Sequence, residues 1–154
     1  MSAPQIGAPA PDFTLNSTSG APVSPATYRG SKHLLVAFFP LAFTSTCTAE
    51  LCAFTEDYAK FESTGVAVLP VSVDSVPTLR EYKAKHALAM DLASDFRREA
   101  SRAYGVLNEE KFYSNRAYFL IDKAGVLRWA HVETLNGERR DNGELLAAIA
   151  ALPR

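Results

Sequence analysis

The 154-residue chain reads as an α/β protein, a mixed central sheet sandwiched by helices. Two runs, HLLVAFFP at 33–40 and VAVLPVSVD at 66–74, are apolar almost throughout, as strands buried on both faces are. Each is followed by a segment with helical spacing, the signature of strands joined through crossover helices. Near the C-terminus, two strand-like runs separated by a tight turn precede a helix, which suits an antiparallel pair added to the sheet.

Residues 1–11 are rich in Pro and Ala and read as an irregular lead-in, followed by a short strand near DFTLN and hairpin chemistry around STSGAPV. The first buried strand ends at Pro40, which cannot donate to a sheet ladder. From about Thr46 the pattern becomes helical, with Leu51, Phe54, Tyr58 and Phe61 three and four residues apart and a stop near Gly65. After the second strand, VPTLREYKAKHA carries a Pro near its start and a polar helical face. FRREASRAYGV predicts a short helix stopped at Gly105. RAYFLID and GVLRWAHVE predict strands turning at DKAG, and NGELLAAIAAL predicts a C-terminal helix. No repeat or linker interrupts this order, so one domain over residues 1–154 is expected.

Composition narrows the function. With 47% apolar residues the chain can bury a sizeable core, and a net charge of −1 without runs of one sign offers nothing to a phosphate backbone. Nucleic acid is therefore not an expected partner. The stretch MSAPQIGAPAPDF has no basic start followed by an apolar run, and no segment approaches the roughly 18 apolar residues of a membrane span. A cytoplasmic protein without membrane attachment is expected. Two cysteines are too few for a disulfide-stapled secreted fold, and in a reducing compartment such a pair is more often catalytic or metal-binding. His33, His86 and His131 are scattered away from the cysteines and are read as structural, so no metal site is expected.

The cysteines lie in FFPLAFTSTCTAELC, at Cys47 and Cys52. Cys47 follows a buried strand and falls in the first turn of a helix, where unpaired backbone N–H groups and the helix dipole favour anions. Thiolate is the reactive form of cysteine. With Thr44 as the N-cap, Cys47 is the third helical residue, and the threonine oxygen is placed to accept from the Cys47 N–H. Cys52 is a further turn on. In an intact helix that offset separates the α-carbons by about 8.6 Å, whereas a disulfide needs them within about 7 Å. The two thiols can join only if the first turns unravel.

PLAFTSTC resembles the P-x-x-x-T-x-x-C signature of the peroxiredoxins, thiol peroxidases of elaborated thioredoxin fold, through Pro40, Thr44 and Cys47. The order of elements is similar over nearly the whole chain, so the resemblance implies a thioredoxin-like domain with an N-terminal hairpin extension. FPLAFT, AYGVLNEE and NRAYFLID resemble the one-cysteine alkyl hydroperoxide reductase E branch, whereas Cys52 fits the bacterioferritin comigratory protein (PrxQ) branch, with its resolving cysteine five residues on. The resemblance implies that Cys47 is peroxidatic, that Cys52 resolves it, and that Arg116 is the active-site arginine. Glu50 is a further candidate for the site's hydrogen-bond network, and Tyr113 and Phe112 for the substrate approach.

These residues suit the chemistry. Attack on a peroxide places negative charge on the departing oxygen, so fixed donors are needed there. The Cys47 N–H, the Thr44 hydroxyl and the permanently charged Arg116 can supply them, and Pro40 can shield the sulfur from water. The resemblance further implies reduction of hydrogen peroxide and small organic hydroperoxides without metal or bound cofactor, and recycling by thioredoxin or a glutaredoxin-like protein. It leaves open a monomer or a homodimer. Two rivals are a one-cysteine peroxidase resolved by an external thiol and a thioredoxin-fold metal chaperone, whose usual C-x-x-x-C spacing is missing. A thioredoxin-type carrier fits poorly, because Thr44 stands where the first cysteine of C-x-x-C would be.

Overall fold

The computed structural model describes residues 3–152. Its core is a six-stranded sheet formed by β1 (Asn16–Ser17), β2 (His33–Phe38), β3 (Val66–Ser72), β4 (Ala93–Ser94), β7 (Ala117–Ile121) and β8 (Leu127–Val132), in the order β1-β4-β3-β2-β7-β8. A two-stranded ribbon, β5 (Leu107–Asn108) with β6 (Tyr113–Ser114), lies outside it. β2 runs parallel to β3 and antiparallel to β7, so the sheet is mixed, as the sequence predicts.

The central strands are apolar because both faces are covered. Leu35, Ala37 and Phe39 point to one side, where they meet Leu51 and Phe54 of α1 (Ser45–Glu56), Phe61 of α2 (Tyr58–Ser63), Leu79 and Tyr82 of α3 (Val76–His86), and Leu145 and Ile149 of α5 (Asn142–Ala150). Leu34, Val36 and Phe38 point to the other, where the lead-in residues Ala10 and Phe13 and the segment around α4 (Glu99–Ala103) close over them. Each buried Leu or Phe contributes roughly 1.5–3 kcal/mol of transfer free energy, which the continuous apolar runs exist to supply.

Local signals explain most boundaries. Ser75 caps α3 by accepting from the Thr78 N–H, and Asp141 caps α5 by accepting from the Glu144 N–H. The expected N-terminal hairpin forms as Leu15 and Val23 exchange backbone hydrogen bonds across a turn with Gly20 at φ +87°. Gly105, at φ +69°, lies just beyond α4.

The structure departs from the expected single helix between Thr46 and Gly65. Asp57, at φ −101° and ψ 15°, breaks it into α1 and α2. α5 meets this break: Asn142 Nδ2 donates to the Ala53 carbonyl at 2.8 Å and to the Asp57 carboxylate at 2.9 Å. The Ala53 carbonyl still accepts from the Asp57 N–H at 3.2 Å, so Asn142 shares this acceptor and holds the chain at the break. β4, β5 and β6 are two-residue strands with no periodic pattern of their own, which is why the sequence does not announce them.

Topology assembles the site. β2 delivers the chain to Pro40 and the start of α1, while antiparallel β7 begins where β2 ends, with Ala117 opposite Phe38. Arg116 therefore stands beside the strand-to-helix junction. Tyr118, two residues on, shares its face, the face covered by α1.

Candidate active site

Cys47 is the third residue of α1 and is 1% exposed. Among the described residues its N–H makes no hydrogen bond, leaving an oriented donor at the helix start. The Arg116 Nη2 donates to Cys47 Sγ at 3.1 Å, so the sulfur faces a fixed cationic donor. The residues before the helix are held in an unusual path: Phe43 has φ +64°, and the Ala42 N–H donates to the Asp74 carboxylate at 2.8 Å. A left-handed aromatic residue is strained, and such strain persists where the surroundings overdetermine it.

Thr44 is the N-cap, but its side chain does not cap. Its hydroxyl donates to the Leu41 carbonyl at 2.7 Å instead of accepting from Cys47, while its carbonyl accepts from Thr48 N at 2.9 Å. The expectation that Thr44 Oγ1 receives the Cys47 N–H is thus corrected: the turn through Phe43 leaves the Leu41 carbonyl as the nearer partner. With its proton committed to Leu41, Thr44 Oγ1 is not the donor that the sequence predicts, and it keeps its lone pairs to accept from another donor. Pro40, Leu41, Thr44, Ser45, Thr46, Cys47, Tyr113, Arg116 and Asn136 line a cleft of about 180 Å³ over the sulfur. Tyr113 is among the residues lining this cleft. Phe112 is not, since its ring packs on the Arg98 guanidinium, 4.2 Å away.

Arg116 is itself buried, and each nitrogen of its fork donates at least one hydrogen bond. Nη1 donates to Glu50 Oε1 at 3.0 Å, and the Asn136 carbonyl accepts from Nη2 at 3.1 Å and from Nε at 3.4 Å. Tyr118 donates its hydroxyl to the other Glu50 oxygen and in turn accepts from the Arg140 N–H at 3.1 Å. Cys47, Arg116, Glu50, Tyr118 and the 136–140 segment thus form one continuous network. Tyr118 and Asn136 are the members that sequence reasoning did not single out. The spacing of Tyr118 two residues after Arg116 was available as a signal, whereas Asn136 acts mainly through its backbone and left none.

Burial raises the Glu50 carboxyl above its usual range, and the charge of Arg116 and the Tyr118 hydroxyl only partly offset that desolvation. Burial works against the charge on Arg116, but Glu50 and Cys47 outweigh it and raise its pKa. Tyr118 is pushed upward by burial and then by Glu50, so it remains a donor at neutral pH. A carboxyl raised in the folded state stabilises the fold below its unfolded value and loses that contribution as pH rises through the folded value. Relative to Glu50→Gln, the protein is therefore expected to be most favoured below the ordinary carboxylate range and progressively less so as pH rises through the raised Glu50 value. Melting temperatures of both proteins across that range measure this, and a margin that widens with pH would show that Arg116 outweighs burial.

Cys52 lies on the same unbroken α1, half-buried against the helix-covered core and unbridged to Cys47. Besides the Glu50 pair, this helix is held where the Thr48 hydroxyl pairs with the Tyr82 hydroxyl at 2.9 Å near its start, where Thr55 Oγ1 accepts from the Ala89 N–H at 3.1 Å, and where Asn142 grips it at Ala53 and Asp57. Burial pushes Tyr82 up to about 12, which keeps that hydroxyl protonated.

A buried sulfur met by a guanidinium and an unpaired amide at a strand-to-helix junction defines a thiol-based redox enzyme. The chain matches the AhpC/TSA family over residues 6–130. It is 39% identical over 149 residues to alkyl hydroperoxide reductase E of Mycobacterium tuberculosis, covering 96% of this chain and 97% of that one. It is also 36% identical over 130 residues to peroxiredoxin 2 of Thermoplasma acidophilum, covering 80% of this chain and 64% of that one. The reduced 2-Cys peroxiredoxin of Plasmodium vivax superposes with a TM-score of 0.88 at 30% identity, over 95% of this chain and 80% of its own. The chain belongs to the AhpC/TSA family and is a peroxiredoxin, a thiol-dependent peroxidase of thioredoxin-like fold.

Proposed function

We propose that Cys47 is the peroxidatic residue, on the strength of one observation: its sulfur is the group that receives the buried Arg116 guanidinium, at 3.1 Å. The Cys47 thiolate attacks one oxygen of the hydroperoxide, the S–O bond forms as the O–O bond breaks, and the departing alkoxide or hydroxide leaves as alcohol or water after taking a proton. Arg116 and the Cys47 N–H donate to the oxygens as charge develops, and Thr44 Oγ1 accepts from the peroxide hydroxyl. Pro40, buried at the cleft wall, keeps competing water away. Glu50 holds Arg116 in place rather than meeting substrate.

Cys52 then resolves the sulfenic acid: its sulfur bonds to Cys47 and water is released. An external dithiol, thioredoxin or a glutaredoxin-like protein, reduces the disulfide by exchange, returning two thiols. Such a cycle fits the cytoplasm, in a monomer or homodimer and without metal or bound cofactor. The step requires α1 to unwind. The Asn142 bonds to Ala53 and Asp57 fix the helix beyond Cys52, so opening falls on the turns carrying Cys47 and has to release the Thr48–Tyr82 bond and the Glu50 bonds to Arg116 and Tyr118.

The seating of Cys52 on an intact helix also favours a second reading, in which an external thiol attacks the Cys47 sulfenic acid directly. Cys52→Ser separates the two. With one equivalent of peroxide and mass spectrometry, the variant should form a stable sulfenic acid, where the parent protein forms a disulfide and loses two hydrogens. A Cys52→Ser protein that turns over with thioredoxin at the parent rate would overturn the resolving role of Cys52.

A further inference from the structure

We propose that Glu133 and Arg140, which do not line the Cys47 cleft, are positioning residues that close the 133–140 segment into a strap and so hold the Arg116 guanidinium on the sulfur. This rests on the reading of Arg116 as the group that acts on Cys47.

The strap begins where β8 ends. The Glu133 N–H donates to the Arg116 carbonyl at 2.9 Å, which makes Glu133 a cross-strand neighbour of Arg116. The chain then leaves the sheet, turns through a bond from the Glu138 N–H to the Leu135 carbonyl, and returns at Arg140. There the Arg140 side chain reaches back to the buried Glu133 carboxylate, Nε to Oε2 at 2.8 Å and Nη2 to Oε1 at 3.2 Å. His131 Nε2 lies 3.1 Å from the same Oε1. Two parallel charge-assisted bonds on a buried carboxylate form a geometrically specific closure.

Between the closed ends, the strap has little else to hold it. Thr134, Leu135, Gly137 and Glu138 are exposed, and Leu135, the one large apolar residue among them, is 62% exposed. Yet the middle of this loosely packed segment accepts three of the five hydrogen bonds that Arg116 donates to Asn136, Glu50 and Cys47. The Asn136 carbonyl receives Nη2 and Nε, and Asn136 Oδ1 receives the Arg116 backbone N–H at 3.2 Å. The returning Arg140 N–H adds the bond to Tyr118 that completes the Glu50 side of the network. A carbonyl on an open loop would sample many positions, and the guanidinium would follow it. Closing the loop at Glu133 and Arg140 confines that carbonyl, and with it the Arg116 cation that faces the sulfur.

The test is a double-mutant cycle on the full chain, using Glu133→Gln and Arg116→Ala, read as the second-order rate of hydrogen peroxide with the reduced protein in stopped flow. Glu133→Gln alone should slow that rate about 10- to 100-fold, the cost of a small misplacement of a group at the reaction centre. In the Arg116→Ala background the same substitution should change it by less than about twofold, because there is no guanidinium left to position. A merely structural role would produce equal effects in both backgrounds, and that outcome overturns the proposal, as does a folded Glu133→Gln at the parent rate. If Glu133→Gln fails to fold by circular dichroism, Arg140→Lys takes its place in the cycle, since lysine keeps the charge and loses the two-pronged grip. Arg116→Ala reacting at the parent rate would instead overturn the reading of Arg116 itself, so the two failures are told apart.

Discussion

Cys47→Ser will reduce peroxide consumption to the uncatalysed background, the largest effect expected of any single substitution in this chain. Serine matches the buried site in size, so the cleft, the Arg116 fork and the packing against Leu51 and Tyr82 should survive. What disappears is a polarisable, ionisable nucleophile: an alcohol is a weak nucleophile at its free pKa, and among the described residues the side chain bonded to this position is Arg116, a permanent cation that cannot act as its base. Nor can oxygen be carried through the reversible oxidation that sulfur allows. Stopped-flow measurement of peroxide loss, with melting temperature as the check on folding, reads the result. A Cys47→Ser protein that still consumes peroxide stoichiometrically through Cys52 would reverse the assignment of the two thiols.

That prediction could be written from PLAFTSTC alone, because every ingredient is local. A buried strand, a proline stop and a helix start put Cys47 among unpaired amides without reference to the rest of the chain. The central sheet was legible for a related reason: β2, β3 and β7 are buried on both faces, and two-sided burial writes an unbroken apolar run. The two-residue strands carry no such mark, since their places are set by neighbours. Likewise, the break at Asp57 is met by Asn142, which is distant in sequence, through a bond to a backbone carbonyl that accepts from any donor. The Thr44 hydroxyl shows the limit at close range. Capping chemistry names the right residue, but the left-handed turn at Phe43 decides which partner its hydroxyl meets. The Arg116 network is legible only in part, for the same physical reason. Side chains such as Glu50 and Arg116 leave a trace in the sequence, whereas the Asn136 carbonyl and the Arg140 N–H are groups every residue of their kind possesses.

Arg116→Ala will slow peroxide attack about 10²- to 10³-fold, the usual cost of removing one preorganised donor from a developing oxyanion. The same change will also destabilise the protein, because Arg116 and Glu50 are each only 1% exposed and pair at 3.0 Å. Breaking a buried pair by removing one partner generally costs about 3–5 kcal/mol; here the Arg139 charge and the Tyr118 hydroxyl still offset part of the Glu50 charge, so the loss falls towards the lower end. Glu50 has Tyr118 as its remaining donor, so its carboxyl, already raised by burial, will move further up, and the instability will deepen as pH increases through that range. These two effects can be pulled apart. Adding Glu50→Gln removes the stranded charge while the amide keeps an acceptor for Tyr118 and a similar volume, so the double variant should recover melting temperature and lose its pH slope. It should not recover rate, because nothing in a neutral amide side chain replaces the cation at 3.1 Å from the sulfur. A folded Arg116→Ala, Glu50→Gln protein that reacts with peroxide as fast as the parent would show that the helix-start amide at Cys47 activates the sulfur without the guanidinium.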